Sequence, residues 1–434
     1  MNNIILTELG KNTEVTGVAS GTKVRNGVNT GEPCIVVYVP KKKPLAELTV
    51  KERIPARIDG KLVDIQEAVF KALSLLPSPV RPKAVWEDGG SRLVSYRPAV
   101  GGISVGHYAI TAGTLGVAAY APAGRVMLSN NHVLANCNDC AVGDNIYQPG
   151  PYDGGTVADK LGELLDWIPV VPEGGGATNQ VDAAIALPTL PTELDLSIAD
   201  LTDMVLYSKA ATVGMEVTKS GRTTQVTSEH VAAVDGAIRV QYPTFIAAFV
   251  NQIMINSSHF LSGGDSGSAC LEVSGVEEPT TIVGLCFAGS MFQAIVCPIA
   301  PALSGLHLTL SVLVDLHGVV KRNGTPVSGV SILVFNYSTF ELIEYIEADS
   351  NGAFGIHDTL YQYETAIIFA QYTIGSTEYG GFKRIHCNQS DNYAVVNLSE
   401  YTPVPDGLFC RFKLNPGDFL NCDIVTERYL SNLF

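Results

Sequence analysis

The stretch from Leu261 to Cys270 reads LSGGDSGSAC, with the hydroxyl of Ser266 held in a turn of glycines and one aspartate. Glycine adopts backbone angles closed to other residues, so such a turn presents its serine instead of packing it. A serine hydroxyl is a poor nucleophile near neutral pH. It attacks a carbonyl only with a base in hydrogen-bond reach and a third group holding that base in one tautomer. Surface turns are rich in Gly, Ser and Asp, so Ser266 alone proves nothing. The chemistry rests on partners elsewhere in the chain.

Among the histidines, His132 stands out in MLSNNHVLAN, at the edge of an apolar strand that ends in a polar turn. The plainer reading is a histidine that caps the turn, and His107, His230 and His259 compete for the role of base. The orienting acid should be a carboxylate partly buried beside the base. Asp182 in NQVDAAIALP interrupts an apolar run between Val181 and Ala183-Ala184-Ile185. A carboxylate in that company is rarely buried without a strong partner. Its plainer reading is an acid at an exposed strand start, and Asp144 and Asp166 are alternatives.

Taken in order, SNNHVLAN, VDAAIA and GGDSGSA resemble the histidine, aspartate and serine motifs of trypsin-like serine proteases. That family's triad is a general template of acyl transfer. The resemblance implies His132 as base, Asp182 as orienting acid and Ser266 as nucleophile. It implies a chymotrypsin-like pair of β-barrels, with base and acid from the first and nucleophile from the second. RPAVGGISVGHYAITAGTLG, QPGPYDGG, KSGRTT and TGEPCIVVYVPKKKPL resemble a subgroup of bacterial proteins and plant narrow-leaf-type proteases. This second likeness spans roughly residues 15 to 300. GVVKRNGTPVSGVSILVF and DSNGAFGI are similar to carboxypeptidase-regulatory or transthyretin-like sandwiches.

The family template also gives backbone donors. The N–H groups of Gly264 and Ser266 are expected to form an oxyanion hole, where each donor contributes about 10²–10³ in rate. By resemblance Phe260 is the floor of the side-chain pocket, with Gly284 and Gly289 on its wall. No acid stands at the floor, so an apolar or small side chain is expected there and cleavage after Lys or Arg is not. Digestive members of the family pair the aspartate before the nucleophile with a newly cut amino terminus. Here about a hundred residues precede the first barrel motif, so Asp265 must be held another way. No cofactor is implied. Cys137 and Cys140 in CNDC read as a redox couple or half a metal site. A zinc site needs a second such pair, which the sequence lacks, so no metal is expected.

These groups need a scaffold. The chain has 434 residues, 46% hydrophobic and 16% charged, as in a well-cored globular protein. Short strands with Gly, Asn and Asp turns predict a mainly β fold of three parts. Residues 1–85 read as a small α+β module and linker, with helices over PLAELTVKERIP and VDIQEAVFKALSLL. Residues 86–311 carry the protease motifs. Residues 312–434 read as a β-sandwich with Asn-Gly hairpins and an expected role in assembly, as homo-oligomer or with another partner.

The net charge of −15 argues against nucleic acid, whose phosphates demand basic patches. No run approaches a membrane span and no secretory signal is visible, so a cytoplasmic site is expected, with virion association or export by another route as alternatives. The expected partner is a protein or peptide substrate. Two other readings stay open: a filament or virion component that keeps the fold for packing, and a module that binds extended peptides without cutting.

Overall fold

The computed structural model describes residues 15–400, apart from 26–27, 51, 76–90, 176, 274–279, 312, 337–341, 362–364 and 388–390. The fold is mainly β. Contacts divide the chain into two compact units, Met1–Leu310 and Ser311–Phe434. Of the linker expected from Pro77 to Gly102, residues 77–90 lie outside the described residues, and its end forms the strand Ala99–Gly101.

The first unit holds two large sheets. One has seven strands in the spatial order Gly113–Thr114, Ser104–His107, Asn145–Tyr147, Lys160–Trp167, Ala184–Pro188, Gly124–Ser129 and Val117–Ala121. Its inner face packs Val105, Leu115, Met127, Ile146, Leu161 and Ala186. GGTVADKLGELLDWIPV divides into a 3₁₀ turn and a strand. The Thr156 side chain and Asp159 form a capping box on the turn Val157–Asp159, and the strand Lys160–Trp167 follows.

The second sheet has twelve strands around the hairpin of Gln225–Gln241 and Ile246–Ile255. On one side of it lie Ala294–Pro298, Thr281–Gly289, Ala269–Glu272 and Glu216–Gly221; on the other lie Gly17–Arg25, Val28–Val39, Lys61–Glu67 and Arg57–Ile58.

Among the described residues of 1–85 neither expected helix forms. The strands of this segment extend the twelve-stranded sheet, with Gly17 opposite Ile238 and Gly21 opposite Ala233. VDIQEAVFKALSLL is not a helix: Lys61–Glu67 and Phe70–Ala72 are strands and Leu73–Leu75 is a single 3₁₀ turn. PLAELTVKERIP holds only the 3₁₀ turn Leu45–Glu47. The three- and four-residue spacing of apolar side chains is present. However, Val63 and Ile65 are β-branched, and Val28–Val39 offers a parallel edge from Cys34–Leu62 to Val39–Glu67. Pairing and burial of Val63 outweigh a weak local preference.

The second unit is an eight-stranded sheet in which Leu313–Arg322 pairs with Asp391–Glu400, Ala353–Tyr361 and Thr325–Pro326. Its core is aliphatic, with Leu316, Val320, Ile332, Val334, Ile368 and Val396. The hairpin at RNGT places Asn323 and Gly324 at φ of 50° and 82°. Both central residues of a tight hairpin turn need positive φ, which is why Asn-Gly stands there. Among the described residues no helix is long and apolar enough to cross a membrane.

Candidate active site

His132 and Asp182 come from neighbouring strands. Gly124–Ser129 and Ala184–Pro188 pair antiparallel, Ser129 opposite Ala184. The first runs into the short helix Asn131–Leu134, which carries His132, and Asp182 lies just before the second. Asn130 Nδ2 donates to the Asp182 carbonyl at 2.7 Å and ties the two strand ends together. His132 Nδ1 stands 2.7 Å from Asp182 Oδ2, and the His132 amide donates to Oδ1 at 3.2 Å. An ionised carboxylate only accepts, so Nδ1 carries the proton and Nε2 is the free lone pair. Nε2 lies 2.7 Å from Ser266 Oγ. The three residues form one continuous hydrogen-bonded line.

Asp182 is fully buried, and burial alone would push its carboxyl up. The imidazole charge of His132 and the hydrogen bonds from His132 and Tyr242 outweigh this and hold it below its ordinary value. Tyr242 donates its hydroxyl to Asp182 Oδ2 at 2.6 Å. Burial beside this carboxylate raises the phenol well above its usual range, so it remains a donor. Tyr242 is absent from the sequence reading, because a tyrosine at a hairpin corner, in VQYPTF, looks like any other.

The backbone of the serine turn is almost fully accounted for. The carbonyls of Gly263, Gly264 and Ser266 accept from Thr223 Oγ1, Thr114 Oγ1 and the Thr114 amide, at 2.7, 2.8 and 2.7 Å. The amides of Asp265, Gly267 and Ser268 donate to Ser262, Cys286 and Asp265 carbonyls. Among the described residues the amides of Gly263, Gly264 and Ser266, all buried residues, have no acceptor. Buried amides are rarely left so without purpose. Gly264 sits at φ 96°, and a Cβ there would lie 2.5 Å from Thr223 Oγ1. At Gly267, φ is 92° and a Cβ would lie 2.0 Å from Ser129 Oγ. Neither position admits a side chain.

The motif KSGRTT supports this turn. Asp265 is fully buried, and its Oδ1 accepts the amides of Thr223 and Thr224 at 2.8 and 3.1 Å. Its Oδ2 accepts Thr224 Oγ1 at 2.7 Å and the Ser262 amide at 2.9 Å. Four donors within the chain thus hold this carboxylate. Lys219, fully buried, donates to Thr224 Oγ1 and, at 2.7 Å, to the Gln225 carbonyl. Burial lowers its ammonium below the usual range, and the nearby Asp265 charge opposes that fall. Arg222 pairs with Asp153, which also accepts from Ser104 Oγ at 2.5 Å. The second sheet's turn is thereby braced against the first sheet.

The competing residues fall elsewhere. His107 Nε2 bonds Asp144 Oδ2 at 3.0 Å, and the Asp166 carboxylate accepts its neighbour Trp167's amide. His230 and His259 are exposed. Phe260 is fully buried among Val217, Ile253, Ile255, Val283 and Val296. Gly284 lies between strands, where a Cβ would meet the Cys297 carbonyl at 2.2 Å. Gly289, at the end of its strand, pairs with Ala294 on one edge and Lys71 on the other. The seven described cysteines are free. Burial raises Cys137 to about 12 and Cys140 to about 11, which keeps both as thiols and disfavours redox or metal chemistry.

In the second unit Asp315, His317 and His357 bring their ligand atoms within 4.8 Å of one another. The sequence reading missed this group, because His357 arrives from a neighbouring strand and only the spacing of Asp315 and His317 is local.

No family model matches the chain, and no curated protein matches it. Solved structures similar to part of it include Nocardiopsis protease, at 19% identity over 49% of this chain and 97% of that one, with TM-score 0.35. A glutamic acid specific serine protease matches at 22% identity over 49% of this chain and 100% of its own, with TM-score 0.35. Cellulomonas bogoriensis chymotrypsin matches at 16% over 49% and 97%, with TM-score 0.34.

Proposed function

We propose that the chain is a serine endopeptidase of the trypsin-like kind, with its two large sheets as the walls of a chymotrypsin-like double barrel. The observation that carries this reading is the unbroken line Asp182–His132–Ser266, at 2.7 and 2.7 Å. Ser266 Oγ attacks the peptide carbonyl while His132 Nε2 takes its proton and passes it to the leaving amine. Water then attacks the acyl-serine with His132 again as base. Asp182 stays ionised and stabilises the imidazolium. The amides of Gly264 and Ser266 donate to the oxygen that becomes negative, which their lack of other acceptors supports. Phe260, Gly284 and Gly289 remain proposed as the surroundings of the side-chain pocket, with Phe260 behind its lining. The C-terminal unit is proposed as an assembly or tethering module that adds no catalytic group.

A serine-reactive fluorophosphonate tests the reading. The wild-type chain should take up one label per molecule at Ser266, and Ser266→Ala none. Equal labelling of both chains would end it. A structural protein or a non-cleaving peptide binder would leave Ser266 unlabelled.

A further inference from the structure

Three residues of the N-terminal segment sit where the second sheet runs into the serine turn. Phe70–Ala72 is a strand paired antiparallel with Thr281–Gly289, Lys71 opposite Gly289 and Ala72 opposite Ala288. It also pairs in parallel with Gln225–Gln241, Phe70 opposite Val240. The far edge of Ala288 and Gly289 is taken by Ile295 and Ala294. Phe70–Ala72 therefore lies on the edge that, further back, carries Ala269 opposite Leu285. Between those two strands on the same edge comes the serine turn, whose Gly267 amide donates to the Cys286 carbonyl at 2.7 Å. Past Ala72 the chain enters the 3₁₀ turn Leu73–Leu75, and the antiparallel direction, from Lys71 at Gly289 to Ala72 at Ala288, points it along that edge toward Cys286. The segment therefore runs toward the strand residue that bonds the serine turn.

Burial agrees with this placement. Ala72 and Leu73 are wholly buried, and Ser266 and His132 are only 2% and 3% exposed. A nucleophile that works on other polypeptides must be reachable, and this one exposes little of its surface. The chain emerges again at Ser74, which is exposed. An extended peptide docks on a sheet edge through main-chain pairing, with alternate side chains filling pockets. Here the edge beside the nucleophile is already occupied by the protein's own chain.

We propose that the strand Phe70–Ala72 with the following Leu73 is a tethered substrate-like segment that fills the acyl-side half of the substrate groove. Leu73 occupies the pocket next to the scissile bond and Ala72 the position before it. The inference rests on the protease reading and adds two things to it. The resting enzyme is self-blocked, and its substrates carry a leucine-sized apolar residue on the acyl side of the cut. The tether is strong because Gly17–Arg25, Val28–Val39 and Lys61–Glu67 belong to the same sheet, which gives the strand an effective concentration on the order of millimolar or more.

The test compares wild type with Leu73→Asp, which puts a charge into the buried position, and with Lys71→Pro, which breaks the edge pairing while leaving Leu73 in place. Both variants are checked for retained strand content by circular dichroism, so that one misfolded variant leaves the other as the readout. Release of the groove should raise the rate of fluorophosphonate labelling at Ser266 at least tenfold. The released chain should cleave Phe-Lys-Ala-Leu-p-nitroanilide at least tenfold faster than the same peptide ending in Lys or Glu. Labelling at the wild-type rate in folded variants overturns the blocking strand while the protease reading survives. A preference for the Lys or Glu peptide overturns the assignment of Leu73. If no chain labels at all, wild type included, both readings fall together.

Discussion

The two units of the chain use the same materials, short strands and glycine turns, and bury different things. The first encloses Arg92, which donates to Asp200 Oδ2 at 2.6 Å, and Asp182, Lys219, Arg222 and Asp265, each tied by hydrogen bonds to the partners named above. In the second, the buried polar residues among those described are Ser311 and Asn392, and the core is aliphatic and aromatic. Its histidines with Asp315 lie at or near the surface. Buried charge is expensive to desolvate, and an apolar core of equal volume is often the more stable choice. The second unit makes that choice. The first gives up some of that stability to fix a turn and an imidazole to within a fraction of an ångström, as a preorganised site demands.

If that contrast reflects function, histidines in the two units should respond very differently to loss. Ser266→Ala and His132→Ala, in the released Leu73→Asp chain, should each lower kcat for the leucine peptide by about 10⁶. The double variant should be no worse, because the residues act as a unit. His317→Ala in the second unit should leave turnover within twofold. A large loss there would erase the contrast. Asp182→Asn comes next, with an expected loss of about 10⁴ from the wrong imidazole tautomer. If Asp144→Asn or Asp166→Asn has that effect instead, the acid has been misassigned.

Stability should show the same asymmetry. Asp265→Ala strands three amides, a threonine hydroxyl and the nearby Lys219, and leaving a buried charge without its partner costs about 3–5 kcal/mol. Asn392→Ala in the second unit removes the hydrogen bond to the Asp315 carbonyl and should cost about 1 kcal/mol. Urea unfolding measures both. Equal losses would mean that the buried network is ordinary packing.

The pH dependence follows from Asp182. Its folded carboxyl lies below the ordinary value of about 3.9, so the unfolded chain binds the proton more tightly. Its stabilising contribution is therefore complete above about pH 4 and is lost as pH falls through the lower folded value. Wild type should lose more stability than Asp182→Asn between pH 5 and pH 3, as read from urea midpoints. Parallel losses would show that the carboxyl is not linked to folding.

The line of three residues could be read from sequence because each announces itself locally: a serine among glycines, a histidine at a strand end, a carboxylate inside an apolar run. What held them could not. Asp265 and the motif KSGRTT that supplies three of its donors lie some forty residues apart, and only the fold joins them. Tyr242 reaches Asp182 across sixty. The N-terminal segment misled for a related reason. Its apolar spacing fits a helix, but an edge strand of the second sheet competes for it, and that partner is remote in sequence.

The smallest effect should come from removing the second unit altogether. A chain that ends at Leu310 keeps His132 and Thr114, the described hydrogen-bond partners of Ser266. It also keeps what closes that unit's core. Leu306, Leu308 and Leu310 pack into it, and Thr309 exchanges two backbone hydrogen bonds with Tyr120 at 2.8 and 2.9 Å. With the Leu73→Asp release in both chains, the shortened and full-length proteins should label and turn over within twofold of each other. Ending at Pro298 instead removes the helix Ile299–Gly305 and those leucines, and should destabilise the unit by several kcal/mol at about 1.5–3 kcal/mol per buried leucine-sized side chain. Light scattering on the same pair asks what the second unit does. If it mediates self-association, the full-length chain should form larger particles than the chain ending at Leu310 at equal concentration. Single-chain mass in both would remove self-association and leave only a foreign partner. Loss of labelling in a folded chain ending at Leu310 would mean that the second unit is part of the active site, and the contrast between the two units would fail.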